Sequence, residues 1–162
     1  MAAEITLEGK KILIVDDERD VRETLEDLLS MCEVSQAESY DQAKALIEAQ
    51  PFDIAILDIM GVDGFDLLAL ANAHGITAVM LTAHALSPEN VIKSFDEGAA
   101  SYLPKEEMNR IEVFLTDILE AKAQGKHPWW KWYGRLASFC DRTFGPDWKG
   151  KKSDILDRIP FY

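Results

Sequence analysis

Three observations predict a parallel α/β sheet with helices packed on it. Short continuous apolar runs, the pattern of strands buried on both faces, recur between residues 12 and 104. Each is followed by a stretch whose apolar residues recur at three- and four-residue spacing, the signature of an amphipathic helix. The residues that close the runs are polar and chemically complementary, which is where such sheets build their sites.

Ile12-Leu13-Ile14-Val15 is the first run, and Val21, Leu25, Leu28 and Leu29 follow it at helical spacing. Val34 to Ala37 is a weaker second strand. Ala43, Leu46 and Ile47 trace a second helix, with Ser39 or Asp41 as its cap. Ile54-Ala55-Ile56-Leu57 reads as a third strand, and Phe65, Leu68 and Ala71 as the apolar side of the next helix. Ala78-Val79-Met80-Leu81 is the fourth strand. Ser87-Pro88 opens a helix, with serine as cap and proline at the first helical position. Val91, Phe95 and Ala99 give that helix its inner face, and Gly98 ends it. Ser101 to Pro104 is a short fifth strand, and Met108, Ile111, Leu115 and Ile118 trace a final helix. Neighbouring parallel strands require crossovers, and helices supply them here.

The first strand runs into Asp16-Asp17-Glu18, the third into Asp58, the fourth into Thr82 and the fifth into Lys105. If the first, third and fourth strands lie side by side, three aspartates meet in one crevice. Three carboxylates cannot all stay ionised at close range without a compensating cation. An all-oxygen donor set suits Mg²⁺, which keeps several waters and needs few protein ligands. A hydroxyl and an ammonium from the neighbouring strands then complete an anion site for a phosphoryl group. An aspartate after a strand is often only the cap of the next helix, and a lone threonine or lysine means little. Four strand ends of matching chemistry weigh against that plainer explanation.

The chain has 162 residues, with 17 Lys+Arg against 29 Asp+Glu, a net charge of −12. That acidity argues against whole-surface binding to nucleic acid, which rewards clustered Lys and Arg. No apolar run approaches the roughly 18 residues of a membrane span, and Met1-Ala2-Ala3-Glu4 lacks the basic start of a secretory signal. Two cysteines, Cys32 and Cys140, form no framework, so the expected setting is reducing and cytoplasmic. Composition divides the chain into an N-terminal lead (1–9), a main domain (10–124) and an extension (125–162), punctuated by Gly125 and Pro128. Residues 1–125 carry 9 basic and 25 acidic side chains; residues 126–162 carry 8 basic and 4 acidic ones and all four tryptophans.

Ile12-Leu13-Ile14-Val15-Asp16-Asp17-Glu18, Ile56-Leu57-Asp58, Met80-Leu81-Thr82-Ala83 and Gly98-Ala99-Ala100-Ser101-Tyr102-Leu103-Pro104-Lys105 together resemble the receiver domain of two-component response regulators. The resemblance covers about residues 10–124. It implies a flavodoxin-like, doubly wound five-stranded parallel sheet in the order 2-1-3-4-5, here with a short helical C-terminal extension. Carried over by position, Asp58 is the phosphoacceptor. Asp16 and Asp17 help hold Mg²⁺, with Asp58 and the backbone carbonyl of Met60 as further ligands. Lys105 pairs with the phosphoryl oxygens, Thr82 hydrogen-bonds the phosphoryl group, and Tyr102 is the aromatic switch that turns inward behind it. The implied phosphodonor is a phosphohistidine on a sensor histidine kinase. The implied chemistry is self-catalysed transfer and dephosphorylation at Asp58, a phosphorelay step rather than enzymatic turnover. A carboxylate is a competent nucleophile for phosphoryl transfer when cations offset the charge on the equatorial oxygens.

Two departures from the family pattern stand out. Asp58-Ile59-Met60-Gly61-Val62-Asp63-Gly64 is two residues shorter than the usual Asp-x-x-Met-Pro-x-x-Asp-Gly and lacks its proline, and Pro104 precedes Lys105 where the family usually has proline after it. Two other readings stay open: a binding-only adaptor whose receiver does not cycle, and an Mg²⁺-dependent phosphatase with an aspartate nucleophile. The second needs an Asp-x-Asp motif after the first strand, which Asp16-Asp17-Glu18 does not match.

In the extension, Trp129, Trp132, Tyr133, Leu136, Phe139, Cys140 and Phe144 fall along one side of a helix, and Lys131, Arg135, Ser138 and Arg142 along another. Ser153 or Asp154 caps a further short turn. The first expectation is that the aromatic stripe packs against the main domain or a second copy of it. A protein partner comes next, because Trp and Arg anchor interfaces. An anionic membrane surface is a weaker alternative, and direct DNA binding is not expected. His74 before Gly75 suits a helix C-terminus, His84 reads as a loop residue, and the two thiols read as small apolar groups.

Overall fold

The computed structural model describes residues 6–83, 87–129, 131, 132, 134, 135 and 142. Strands and helices alternate as β1 (Lys11–Val15), α1 (Arg19–Leu28), β2 (Glu33–Ala37), α2 (Tyr40–Ala49), β3 (Ile54–Asp58), α3 (Gly64–Ala73), β4 (Thr77–Thr82), α4 (Pro88–Asp96), β5 (Ser101–Pro104) and α5 (Ile111–Ala123). A 3-10 turn, Lys105–Arg110, joins β5 to α5. The sheet is parallel throughout, in the order β2-β1-β3-β4-β5. This is the flavodoxin-like order that the resemblance implies.

The degree of apolarity of each strand follows its place in the sheet. β3 lies at the centre and every residue in it is buried, so its sequence is an uninterrupted apolar run up to Asp58. β2 lies at one edge and pairs only with β1, and of its five residues only Ala37 is buried. Polar Glu33, Ser35 and Gln36 are tolerated there, which is why its pattern reads so weakly. α1 packs beside α5 and α2 beside α3, as crossovers of one hand on two sheet faces require.

The helices keep their expected signals, with three shifts, the first being that α4 ends at Asp96, so Ala99 follows the helix across the Gly98 turn rather than lining its inner face. Ser39 caps α2 by accepting from the Gln42 N–H at 3.2 Å, and Ser87 caps α4 by accepting from the Asn90 N–H at 3.1 Å. In α3 it is Leu67 that joins Leu68 and Ala71 in the core, while Phe65 is only half-buried. Met108 lies in the 3-10 segment rather than in α5, because six residues after Pro104 wind as a 3-10 helix before the regular helix begins. His74 caps the end of α3, its Nδ1 lying 3.0 Å from the Leu70 carbonyl. Cys32 is half-buried against the core, its Sγ 3.3 Å from the Leu7 carbonyl. Among the described residues no helix is long and apolar enough to cross a membrane.

The start of the extension packs against this domain. Trp129, Lys131, Trp132, Gly134 and Arg135 are helical, and Trp129 and Trp132 join the main core cluster with 0% and 3% exposure. Their ring centroids are 4.5 Å apart, and Phe95 of α4 meets Trp129 edge-on at 5.4 Å. The Trp129 indole N–H donates to the Ala99 carbonyl and that of Trp132 to the Tyr102 carbonyl, both at 2.7 Å. Lys131 bonds Glu120 at 2.8 Å, and Arg135 grips Asp117 of α5 with two nitrogens. Tyr133, Leu136, Ser138, Phe139, Cys140, Phe144, Ser153, Asp154 and the loop residue His84 lie outside the described residues.

Candidate functional site

Four strand ends put their polar residues at one edge of the sheet. Asp16 follows β1, Asp58 closes β3, Thr82 closes β4 and Lys105 follows β5. Since β1, β3 and β4 are neighbours, Asp16 and Asp58 come to adjacent positions. Asp58 is in register with Leu81, and Thr82 with Pro104, so the hydroxyl and the ammonium lie one strand and two strands away. Asp16, Asp58 and Thr82 are all buried.

Lys105 ties the cluster together. Its Nζ lies 2.9 Å from Asp16 Oδ2, 2.9 Å from Glu18 Oε1 and 3.7 Å from Asp58 Oδ1. Burial alone would lower its pKa. The bonds to Glu18 and Asp16 and the charges of Asp16 and Asp58 outweigh that, and the ammonium is held above its ordinary value. Asp16 accepts the Glu18 N–H through Oδ1 at 2.8 Å, yet burial still raises its pKa against the pull of Lys105. Asp58 is raised from 3.8 to about 7, first by burial and then by the charges of Asp16 and Asp17, against which Lys105 and the Met60 N–H only partly compensate. The cluster is short of positive charge.

That deficit, and the donor set, fit a hard divalent cation. Asp16, Asp17 and Glu18 each offer a carboxylate oxygen within 4.8 Å of the others. Asp16 Oδ2 is buried, and the close partner it has among the described residues is the Lys105 ammonium at 2.9 Å. The loop after β3 leaves space for Asp17: Gly61 adopts φ +85°, and a Cβ there would stand 2.6 Å from Asp17 Oδ2. Because the loop is short, Gly64 at the start of α3 lies against the end of β3, where a Cβ would clash with the Asp58 carbonyl. Its closing bond runs from the Gly64 N–H to the Ile59 carbonyl at 3.2 Å. Met60 points outward at 57% exposure.

The structure therefore gathers Asp16, Asp58 and Lys105 in direct contact, with Asp17 beside Gly61 and Thr82 on the adjoining strand. Tyr102 is buried in β5, two residues before Pro104. Glu18 is the partner that sequence reasoning left without a role. It occupies the cap position of α1 but makes no side-chain cap bond there, and its carboxylate reaches Lys105 instead. The only sequence signal for this was its place directly after Asp16-Asp17.

Fold and site define a doubly wound α/β protein with an acidic, lysine-bridged crevice at the carboxyl ends of its strands. The profile of the response regulator receiver domain matches residues 12–115, and the chain belongs to that family. It is 34% identical over 120 residues to the phosphate regulon transcriptional regulatory protein PhoB of Pseudomonas aeruginosa, covering 66% of this chain and 52% of that protein. It is 37% identical over 100 residues to the transcriptional regulatory protein CpxR of Escherichia coli, covering 59% of this chain and 42% of that one. The chain thus spans about half the length of these regulators. A CheY-like receiver domain protein from Methanospirillum hungatei superposes with a TM-score of 0.65 at 28% identity, covering 72% of this chain and 98% of that one. A response regulator from Burkholderia pseudomallei, solved with a phosphorylated aspartic acid, calcium ion and citrate, gives 0.61 at 25% identity, covering 72% and 73%.

Proposed function

We propose that the chain is a phosphorylation-dependent signalling receiver that takes a phosphoryl group on Asp58 from the phosphohistidine of a sensor kinase in the cytoplasm. The observation that carries this is the buried Asp58 carboxylate at the end of β3, with the Lys105 ammonium 3.7 Å away. In the transfer, an Asp58 oxygen forms the new bond to phosphorus as the phosphorus–nitrogen bond of the donor breaks, and the imidazole leaves with the bonding pair. Asp58 must be ionised to attack, and its raised pKa says that it lacks compensating charge. Asp16 and Asp17, with Asp58 and the backbone carbonyl of Met60, would hold Mg²⁺. The ion supplies the missing positive charge when bound. Lys105 offsets charge on the phosphoryl oxygens, and the Thr82 hydroxyl donates to one of them. Tyr102 follows Thr82 as the phosphoryl group draws it in. Each arrival adds about −1.5 to −2 of charge, which biases the arrangement of β4, β5 and their helices toward a changed partner or self-association.

Incubation with acetyl phosphate and Mg²⁺, read by intact mass, tests the reading. The expected result is one phosphoryl adduct on the native chain and none on Asp58→Asn. An adduct retained on Asp58→Asn overturns the site, and a native chain that takes none overturns the function. Continuous release of phosphate from a phosphate ester would favour the phosphatase reading instead.

A further inference from the structure

The face formed by α4, β5 and α5 is covered by the chain's own extension, and the cover grips the strand that leads to Lys105. Trp129 and Trp132 stand one helical turn apart, and their indole N–H groups hold the carbonyls of Ala99 and Tyr102, one just before β5 and one within it. Lys105 lies three residues beyond Tyr102. Two further observations bear on this arrangement. Asp117 of α5 is buried, and its charge is met by Arg135 and Lys131 of the extension. These ion pairs tie the extension to α5. Within β5 itself, Ser101 Oγ is buried with no hydrogen-bond partner among the described residues.

We propose that the segment from His127 to Arg135 is an intramolecular latch on the α4–β5–α5 face, and that phosphoryl transfer to Asp58 releases it. The inference rests on the phosphoacceptor reading. In the covered state Lys105 is engaged mainly by Asp16 and Glu18 and stands farther from Asp58. A phosphoryl group on Asp58 draws Lys105 and Thr82 toward itself, and Thr82 is in register with Pro104. Displacing the end of β5 misaligns two short hydrogen bonds and a close-packed indole pair, and packed contacts of this kind rearrange in a step rather than stretch. The coupling is reciprocal: whatever loosens the latch favours the phosphorylated state by the same factor.

The experiment is amide exchange by mass spectrometry on the full chain with Mg²⁺, with and without acetyl phosphate, with intact mass read on the same samples. The expected result is a phosphoryl adduct together with exchange about 5-fold faster or more across 127–135. An adduct without faster exchange there overturns the latch and leaves the phosphoacceptor reading standing. No adduct overturns both the phosphoacceptor reading and the coupling. The grip on β5 has its own test in unphosphorylated protein. Trp132→Phe keeps an aromatic ring but removes the N–H, and faster exchange across 101–103 is expected; unchanged exchange overturns the grip. Arg135→Gln in unphosphorylated protein is expected to speed exchange across 127–135, and unchanged exchange overturns the anchoring of the latch on Asp117. Sedimentation decides whose extension covers the face: a monomer supports the latch, and a dimer that dissociates with Arg135→Gln overturns its intramolecular form.

Discussion

Asp58 shows how one residue's environment turns into a measurable property. Its carboxyl titrates near 3.8 when unfolded and about 7 when folded. Between those values the folded chain holds the extra proton. The contribution of Asp58 to stability is therefore greatest below about pH 4 and declines as pH rises to about 7, above which it is ionised in both states. Asp58→Asn, which mimics the neutral acid, should raise stability in metal-free buffer by about 1–3 kcal/mol at about pH 8, with the gain vanishing toward about pH 4. Urea denaturation of both chains across that range, with a chelator present, checks it. A gap that does not change with pH would show that charge at Asp58 is not its cause. Asp16, Asp58, Thr82 and Lys105 were legible in the sequence because each ends an apolar run. Glu18 was not, since its bond to Lys105 spans 87 residues and depends on how far two long side chains reach.

Among the elements, the loop from β3 to α3 is the one most altered from the family pattern, and two glycines account for its shape. At Gly61 a side chain would meet both an unfavourable positive φ and the Asp17 carboxylate. Gly61→Ala should cost about 1–2 kcal/mol of stability from the backbone alone. It should also displace Asp17 and weaken Mg²⁺ binding, and a magnesium titration followed by tryptophan fluorescence, beside urea melts, separates the two effects. Unchanged magnesium affinity would show that Asp17 is not held by this contact. The sequence marked the loop as short and without proline, but not that Gly64 is pressed against the β3 backbone. β2 was faint for the opposite reason: an edge strand buries little, so selection for apolar residues is relaxed there. The displaced start of α5 follows from Pro104, whose φ of −65° leads into a 3-10 turn rather than directly into the helix.

For the molecule as a whole, the extension adds core to the receiver. Trp129 is fully buried and hydrogen-bonded, so Trp129→Ala should lower stability by about 3 kcal/mol, measured by urea denaturation. A loss under about 1 kcal/mol would mean that the site collapses around the smaller residue or that the indole adds little there. By itself the sequence determined the alternation of five strands and five helices, the parallel sheet, and the set of strand-end side chains. These are local properties: apolar periodicity, caps and the residue that closes each run are written in consecutive positions. Only the tertiary structure decided that Glu18 shares Lys105, that Gly61 lies against Asp17, and that Trp129 and Trp132 lie on α4 and β5. Each of these joins distant residues through side-chain reach and packing, and a one-dimensional pattern carries the faces of an element but not the neighbour each face will meet.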